Sequence, residues 1–388
     1  MEGILAAGGI ILALTVCLVL ALISKYLTIP AIPFYIIAGV ILGKAGLGVV
    51  VSDPVSSFFA ELGLIFLLFF VGLGIRVDKI VENRNAVLTS GIIDLNVNML
   101  IGFVAAYLLG FPLIDALVVA AAFYISSTAM AVTSLVENRK LMMREAETVI
   151  WLMVFEDLIM IVILALLSAG NENLLLFAVK IMIGLGVLYA LAHYGKEFLV
   201  SILDREDELP VLFTFVAVLA TAGSALYFGI PDTLMVIALG AAIATTDPDA
   251  FEQHARPFKD VFMVIFFVFF GISITFSGSV NIGVMAVICI LAIVSKLVSG
   301  VLTAIALYGS AKSGIEIWVN TIGRGEFSIA LAALYGSPPV AVTIAVMVIV
   351  TSLVGSFAAK YSSDLLRIGL SGRSRHHGPP ARRGHAGR

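Results

Sequence analysis

Long apolar runs, broken at glycine, proline and clusters of charge, fill the chain from its first residues to about residue 360. A helix crossing a hydrocarbon core of about 30 Å needs roughly 20 residues. The runs divide into about thirteen segments, near 5–24, 32–49, 58–75, 85–109, 112–136, 142–168, 173–194, 209–228, 231–246, 259–276, 280–308, 313–335 and 338–359. The pattern predicts an all-α integral membrane protein of about thirteen spans, with residues 1–364 as its transmembrane domain. The remaining stretch, 365–388, ends in SGRSRHHGPPARRGHAGR, which is polar, basic and rich in Gly and Pro, a composition that predicts a disordered tail.

The polar connections carry a second pattern. Those after odd-numbered segments hold Lys25; Arg76, Lys79 and Arg84; Arg139, Lys140 and Arg144; Lys196 and Arg205; Arg256 and Lys259; Lys312; and then the basic tail. Those after even-numbered segments are nearly free of Lys and Arg, Lys44 being the main exception. Cytoplasmic loops hold the excess of positive residues. This predicts a multi-pass protein of the cell membrane, N-terminus outside and C-terminus cytoplasmic.

Composition agrees. Apolar residues make up 61% of the chain and charged residues 13%, with a mean hydropathy of +1.11, against about half and about a quarter in an ordinary soluble domain. The expected partner is therefore the lipid bilayer; a net charge of −3 gives no sign of nucleic acid. Cys17 and Cys289 lie inside apolar segments, where packing is their expected role.

Two stretches recur. LTIPAIPFYIIAGVIL (27–42) resembles FGIPDTLMVIALGAAI (228–243), with Ile29/Ile230, Pro30/Pro231, Ile36/Ile237 and Gly39/Gly240 identical at a shift of 201. IFLLFFVGLGI (65–75) resembles VIFFVFFGISI (264–274), with Phe70/Phe269, Gly72/Gly271 and Ile75/Ile274 identical at a shift of 199. The paired segments are separated by seven spans, so the copies face opposite ways. Inverted repeats mark secondary transporters, whose substrate site lies near the midplane between discontinuous helices. Repeat one is placed at about 1–168, a linker helix at about 173–194 and repeat two at about 209–359. A shift of 199 carries Ser126 and Ser127 onto Gly325 and Glu326. Both sites interrupt apolar helices, and unwound backbone at that depth is tolerated only where it lines a cavity or is buried in protein. Segments five and twelve are therefore read as broken helices that cross.

Charge near the span centres is sparse. VFEDLIM (154–160) sets Glu156 and Asp157 in the middle of segment six, Lys296 lies mid-span in segment eleven, and Arg324 and Glu326 lie at the break in segment twelve. Each charge costs about 2.5–3.5 kcal/mol at the centre of an inserted helix, so such residues are expected to pair and to work. Consecutive helix positions point about 100° apart, so the two acids face different neighbours. Asp157 is assigned to the crossing and Glu156 to Lys296, although the sequence alone permits the reverse. A hard monovalent cation needs oxygen ligands and an ionised carboxylate, so cation and proton compete for one site. Ser127 and Thr128, with carbonyls freed by the break, are the expected further oxygens. Asp94, in segment four with Asn96 and Asn98, is assigned either to the ion path or to a satisfied structural role.

With SSTAMAV in a broken helix, FEDLIM, SKLVSG and GRGEFS in order, the chain resembles the monovalent cation:proton antiporter-2 family, which includes NapA-like sodium and Kef-type potassium exchangers. The resemblance covers most of residues 1 to 360. It implies thirteen helices in inverted repeats, with a core domain moving against a dimerisation domain, and hence a homodimer. It also implies that Asp157 is the ion and proton carboxylate, Glu156 its tuning neighbour and Lys296 the charge partner. Arg324 and Glu326 would balance charge at the crossing. Sodium exchangers of the charge-moving type usually carry Asp at the position of Glu156, and Kef-type proteins Gln, so an acid here leans towards sodium. Kef-type chains also carry a cytosolic nucleotide-binding domain after the membrane part, and no nucleotide fingerprint occurs here. The expectation is an antiporter rather than an enzyme, carrying Na+ or K+ against H+ and requiring no cofactor. The alternatives are a Kef-type K+/H+ antiporter, a sodium-coupled symporter and a channel or sensor subunit. His254 is read as a solvated loop residue, with a pH sensor as the alternative, and DREDELP (204–210) as a linker between the halves.

Overall fold

The computed structural model describes residues 2–27, 30–74, 84–170, 172–246, 248–275 and 281–371, and every regular element among them is an α-helix. In chain order these are α1 (Glu2–Leu27), α2 (Ile32–Leu42), α3 (Pro54–Leu73), α4 (Arg84–Leu108), α5 (Leu113–Tyr124), α6 (Thr128–Glu137), α7 (Arg144–Ala169) and α8 (Leu174–Tyr194). There follow α9 (Lys196–Leu203), α10 (Leu209–Tyr227), α11 (Asp232–Ile243), α12 (Pro248–Ser273), α13 (Ile282–Tyr308), α14 (Ala311–Thr321), α15 (Glu326–Tyr335) and α16 (Pro338–Ser371). Among the described residues, nine stretches are long and apolar enough to cross a membrane; α2, α11 and α15 are shorter apolar helices.

Local chemistry sets the ends. Asp53 caps α3: its carboxylate accepts from Ser56 N at 2.7 Å while Ser56 Oγ accepts from Asp53 N at 2.9 Å, so two otherwise orphaned amides are satisfied reciprocally. This hydrogen bonding holds the Asp53 carboxyl below its usual range. Gly309, with φ of +62°, closes α13 in the left-handed conformation that favours glycine.

Several boundaries differ from those expected. The second span stops at Leu42, because Gly43, Gly46 and Gly48 turn the chain immediately after it. The tenth begins at Pro248, eleven residues earlier than 259, because proline suits a first helical turn and Phe251 and Ala255 supply a buried face. His254 consequently lies in a helix rather than a loop. The final helix extends to Ser371, past the expected tail boundary at 364, since no proline interrupts 340–371; residues 372–388 lie outside the described residues. So do Arg76, Lys79, Ile29 and Ile75, on which parts of the loop pattern and the repeat rest.

The helices associate in two groups. α1, α2, α3, α8, α10, α11 and α12 pack on one another, as do α4 to α7 and α13 to α16, and the groups meet where α2 lies on α16 and α11 on α7. In lipid, helices associate through close packing at small residues more than through apolar burial. Four glycines show it. Gly39 of α2 lies against Gly271 of α12, and Gly240 of α11 lies against Gly72 of α3. A Cβ at any of the four would collide with the opposing backbone. The four are the glycines matched in the sequence as Gly39/Gly240 and Gly72/Gly271, and a glycine-on-glycine contact occurs twice.

Candidate cation and proton site

Two helices of the second group are interrupted, and the interruptions touch. The first lies between α5 and α6 at Ile125–Ser127, the second between α14 and α15 at Ile322–Gly325. Ser127 N donates to Gly323 O at 2.8 Å. Ser127 Oγ lies 3.3 Å from Glu326 Oε2, 199 residues on, so the two positions matched by the shift of 199 lie side by side. Gly325 packs so closely on Ser127 that a Cβ there would sit 2.5 Å from the serine Cβ.

A helix end leaves unsatisfied N–H or C=O groups that need partners when buried. At the end of α5, Ser328 Oγ donates to Ala122 O at 3.2 Å. At the end of α14, the buried Arg324 guanidinium donates to Ile322 O at 2.8 Å and Thr321 O at 3.1 Å, and across to Ala292 O of α13 at 3.0 Å. Ser126 Oγ lies within hydrogen-bonding distance of Thr321 O and of Glu156 Oε1, 3.1 Å from each.

The acidic pair on α7 is divided by its surroundings. Glu156 is buried; its Oε2 accepts from Ser126 N, and its Oε1 accepts from Lys296 Nζ at 2.7 Å. Asp157 is half-buried and makes no hydrogen bond or ion pair with any described residue; the carboxylates close enough for their charges to act on it are Glu156 and Glu326. Thr128 Oγ1, at the start of α6, is likewise buried without a hydrogen-bond partner, whereas the Ser127 hydroxyl caps Met130 N at 3.4 Å. Glu156 thus reaches Lys296 as expected, and it also reaches the break through Ser126, the direction expected of Asp157. The reason is the rotation of α7 about its axis, which its packing on α4, α6 and α14 sets and no local pattern reveals.

Both oxygens of Asp94 are engaged. Its Oδ2 accepts from Lys296 Nζ at 2.7 Å, and its Oδ1 accepts from Ser299 Oγ at 2.7 Å and Asn98 Nδ2 at 2.8 Å. The signal was in the sequence: Asp94 and Asn98 are one turn apart, as are Lys296 and Ser299. Two further pairs had no such signal. Lys140, counted as a loop charge, is buried 2.6 Å from Glu316. Asp115 accepts from Ser337 Oγ at 2.6 Å and Ser337 N at 3.2 Å.

Two cavities of about 390 and 290 Å³ share Pro30, Met130 and Thr133 in their walls. The smaller reaches Ser127, Arg324 and Gly325 at the breaks, while Lys25 and Lys360 lie along the walls. A third, of about 450 Å³, lies between the helix groups and is walled by Phe266, Phe270, Ala332 and Gly336. Among the described residues, no cluster of three or more His, Cys, Asp or Glu side chains is arranged to hold a metal ion.

Comparison with known proteins agrees with this architecture. Residues 11–360 match the family described as "Sodium/hydrogen exchanger, transmembrane". The chain is 26% identical over 377 residues to the K(+)/H(+) antiporter subunit KhtU of Bacillus subtilis (strain 168), covering 92% of this chain and 93% of that one. It is 25% identical over 344 residues to the ammonium/H(+) antiporter subunit AmhT of Alkalihalophilus pseudofirmus, covering 85% and 86%. The solved structure of the sodium proton antiporter MjNhaP1 from Methanocaldococcus jannaschii superposes with a TM-score of 0.71 at 19% identity, over 94% of this chain and 98% of that one, which shows a shared fold. The chain is therefore a member of the sodium/hydrogen exchanger family, the membrane transporters that exchange monovalent cations for protons.

Proposed function

We propose that this protein exchanges an alkali cation for protons at Asp157, by opening that carboxylate to one side of the membrane at a time. The observation that carries the reading is the division of the acidic pair. Glu156 is occupied by Lys296 and Ser126, whereas Asp157, one residue on and half-buried, has no partner among the described residues. A carboxylate left free beside a helix break can take either a proton or a cation, and these exclude each other. Thr128 Oγ1, also unpartnered, is the side-chain oxygen best suited to add to the cation's shell, with Ser127 and break carbonyls beside it. Lys296 keeps Glu156 neutralised, and Arg324 and Glu326 balance the second break.

The wider architecture in this reading is thirteen spans in two inverted repeats, with segments five and twelve crossing at their breaks. The doubled glycine contact, Gly39 with Gly271 and Gly240 with Gly72, supports it. The group holding α4 to α7 and α13 to α16 would move against the other, in a homodimer associating through the α1 face that carries Gly8 and Gly9, with the N-terminus outside and the C-terminus cytoplasmic.

Sodium is the first reading for the cation, from the acid at position 156; lithium would follow it. Potassium is the second, favoured by the activity printed for KhtU. Proteoliposomes holding a pH-sensitive dye, given sodium, lithium or potassium under an imposed proton gradient, separate the two. Asp157→Asn is expected to abolish the response to every cation, and retained exchange would overturn the Asp157 assignment. A larger potassium response would overturn the sodium reading alone.

A further inference from the structure

The two buried carboxylates that hold Lys296, Asp94 and Glu156, and the half-buried Asp157 next to Glu156 differ in how fully their oxygens are used. Asp94 accepts three hydrogen bonds, from Lys296, Ser299 and Asn98. Glu156 accepts from Ser126 and Lys296. Asp157 accepts none from the described residues. Lys296 is therefore held from two helices at once, α4 through Asp94 and α7 through Glu156. Ser299, one turn along α13 from Lys296, fixes the second Asp94 oxygen, so the ammonium and its anchor are clamped by the same helix.

We propose that Asp94 is a positioning residue that tethers the Lys296 ammonium at Glu156 and away from Asp157, so that the protein's own lysine does not compete with the transported cation. The inference rests on the reading of Asp157 as the exchange site.

Lysine is a compact point charge on a flexible four-carbon stem. Glu156 and Asp157 are consecutive, with α-carbons about 3.8 Å apart. An ammonium anchored only at Glu156 would be drawn towards the neighbouring carboxylate, which has nothing to balance it, and the attraction is strong where water is scarce. The Asp94 bond opposes that movement from another helix. Asp94 itself is a poor candidate for a cation ligand, because both its oxygens are already engaged. Arg324 cannot replace Lys296, since its guanidinium is committed to the carbonyls of Thr321, Ile322 and Ala292.

The test is the initial rate of exchange in proteoliposomes as a function of sodium, and separately of potassium. The proteins are the unmodified chain, D94N, D94E, S299A, K296M, D94N/K296M and D157N. A lost tether places a competing cation at the site, so D94N is expected to raise the apparent KM by about 5- to 150-fold, the usual span of coupling between two sites. Its Vmax should stay within about twofold, because competition at binding leaves the bound complex unchanged. D94E should restore the low KM, S299A should raise it less than D94N does, and D94N/K296M should return it to the value of K296M alone. A D94N protein with unaltered KM and reduced Vmax, or a raised KM that persists in D94N/K296M, would overturn the tether. If D94N does not fold, an unaltered KM in S299A overturns it. D157N is inactive if the underlying reading holds; an active D157N overturns that reading and the tether with it, whereas an inactive D157N beside an unaltered D94N overturns the tether only.

Discussion

The two helix breaks are built from opposite chemistry. At the first, the exposed group is a backbone donor, Ser126 N, and the partner is an acid, Glu156. At the second, the exposed groups are acceptors, the carbonyls of Thr321 and Ile322, and the partner is a buried cation, Arg324. Helix N-termini favour negative charge and C-termini positive charge, so each break recruits the ion that suits it. The difference lies in what remains over. Arg324 spends its two terminal nitrogens on the carbonyls of Thr321, Ile322 and Ala292, leaving Nε unpartnered among the described residues, with Ser352 Oγ and Thr351 Oγ1 holding its own backbone. Beside the first break a second carboxylate, Asp157, is left unspent. At the second break the charged partner caps carbonyls; at the first, Glu156 is engaged while its neighbour Asp157 has no hydrogen bond or ion pair among the described residues.

Arg324→Ala should be among the most destabilising single changes. It unsatisfies several buried carbonyls and leaves the nearby acids unbalanced, and removing one partner from a buried charged network costs about 3–5 kcal/mol. Thermal unfolding in detergent measures it, and a variant as stable as the parent would break the comparison. Lys296→Ala is next: it strands Glu156 and Asp94 together, with a cost of similar order or slightly less, about 3 kcal/mol. It should alter charge movement and stability more than cation preference, which rate measurements with sodium and potassium would check. Ser328→Ala removes a hydroxyl shared between Ala122 O and Ile125 O, worth about 1 kcal/mol, and should lower the melting temperature with little effect on KM. A large KM change there would show that the α5 end takes part in binding.

The smallest effect lies far from both breaks. Asp53→Ala removes the α3 capping box and should cost about 1 kcal/mol. The folded Asp53 carboxyl titrates below its ordinary value. Its contribution is therefore present above the ordinary aspartate pKa of about 3.9 and is lost as pH falls through the folded value. The stability difference between parent and D53A should accordingly shrink in acid, and a difference unchanged down to about pH 2 would remove the capping explanation.

Much of the site could be read without coordinates because the bilayer makes charge conspicuous. Glu156, Asp157, Lys296, Arg324 and Glu326 stand out since few other charged residues occur at mid-span. The breaks at Ser126–Ser127 and Gly323–Gly325 stand out since serine and glycine interrupt apolar helices there. Less legible were residues whose role depends on a distant neighbour. Lys140 reads as one more basic loop residue, yet it is buried against Glu316, 176 residues away. Asp94 reads equally as ion path or structure, because its partners Lys296 and Ser299 lie more than 200 residues away. His254 fell on the wrong side of a boundary because a proline-initiated, partly polar helix start is weaker in hydropathy than the apolar run that follows it.

Hydrophobic length and the scarcity of mid-span charge are one-dimensional properties. The sequence by itself therefore determined a helical membrane protein with two interrupted helices, an acidic pair and a lysine as its candidate chemistry. Which of two adjacent carboxylates is bound and which is free depends on a rotation of α7 of about 100°. That angle is set by how α7 packs on α4, α6 and α14. Only the tertiary structure decided it, because the partners that tell Glu156 from Asp157 come from a helix break 30 residues away and a helix 140 residues away in the chain.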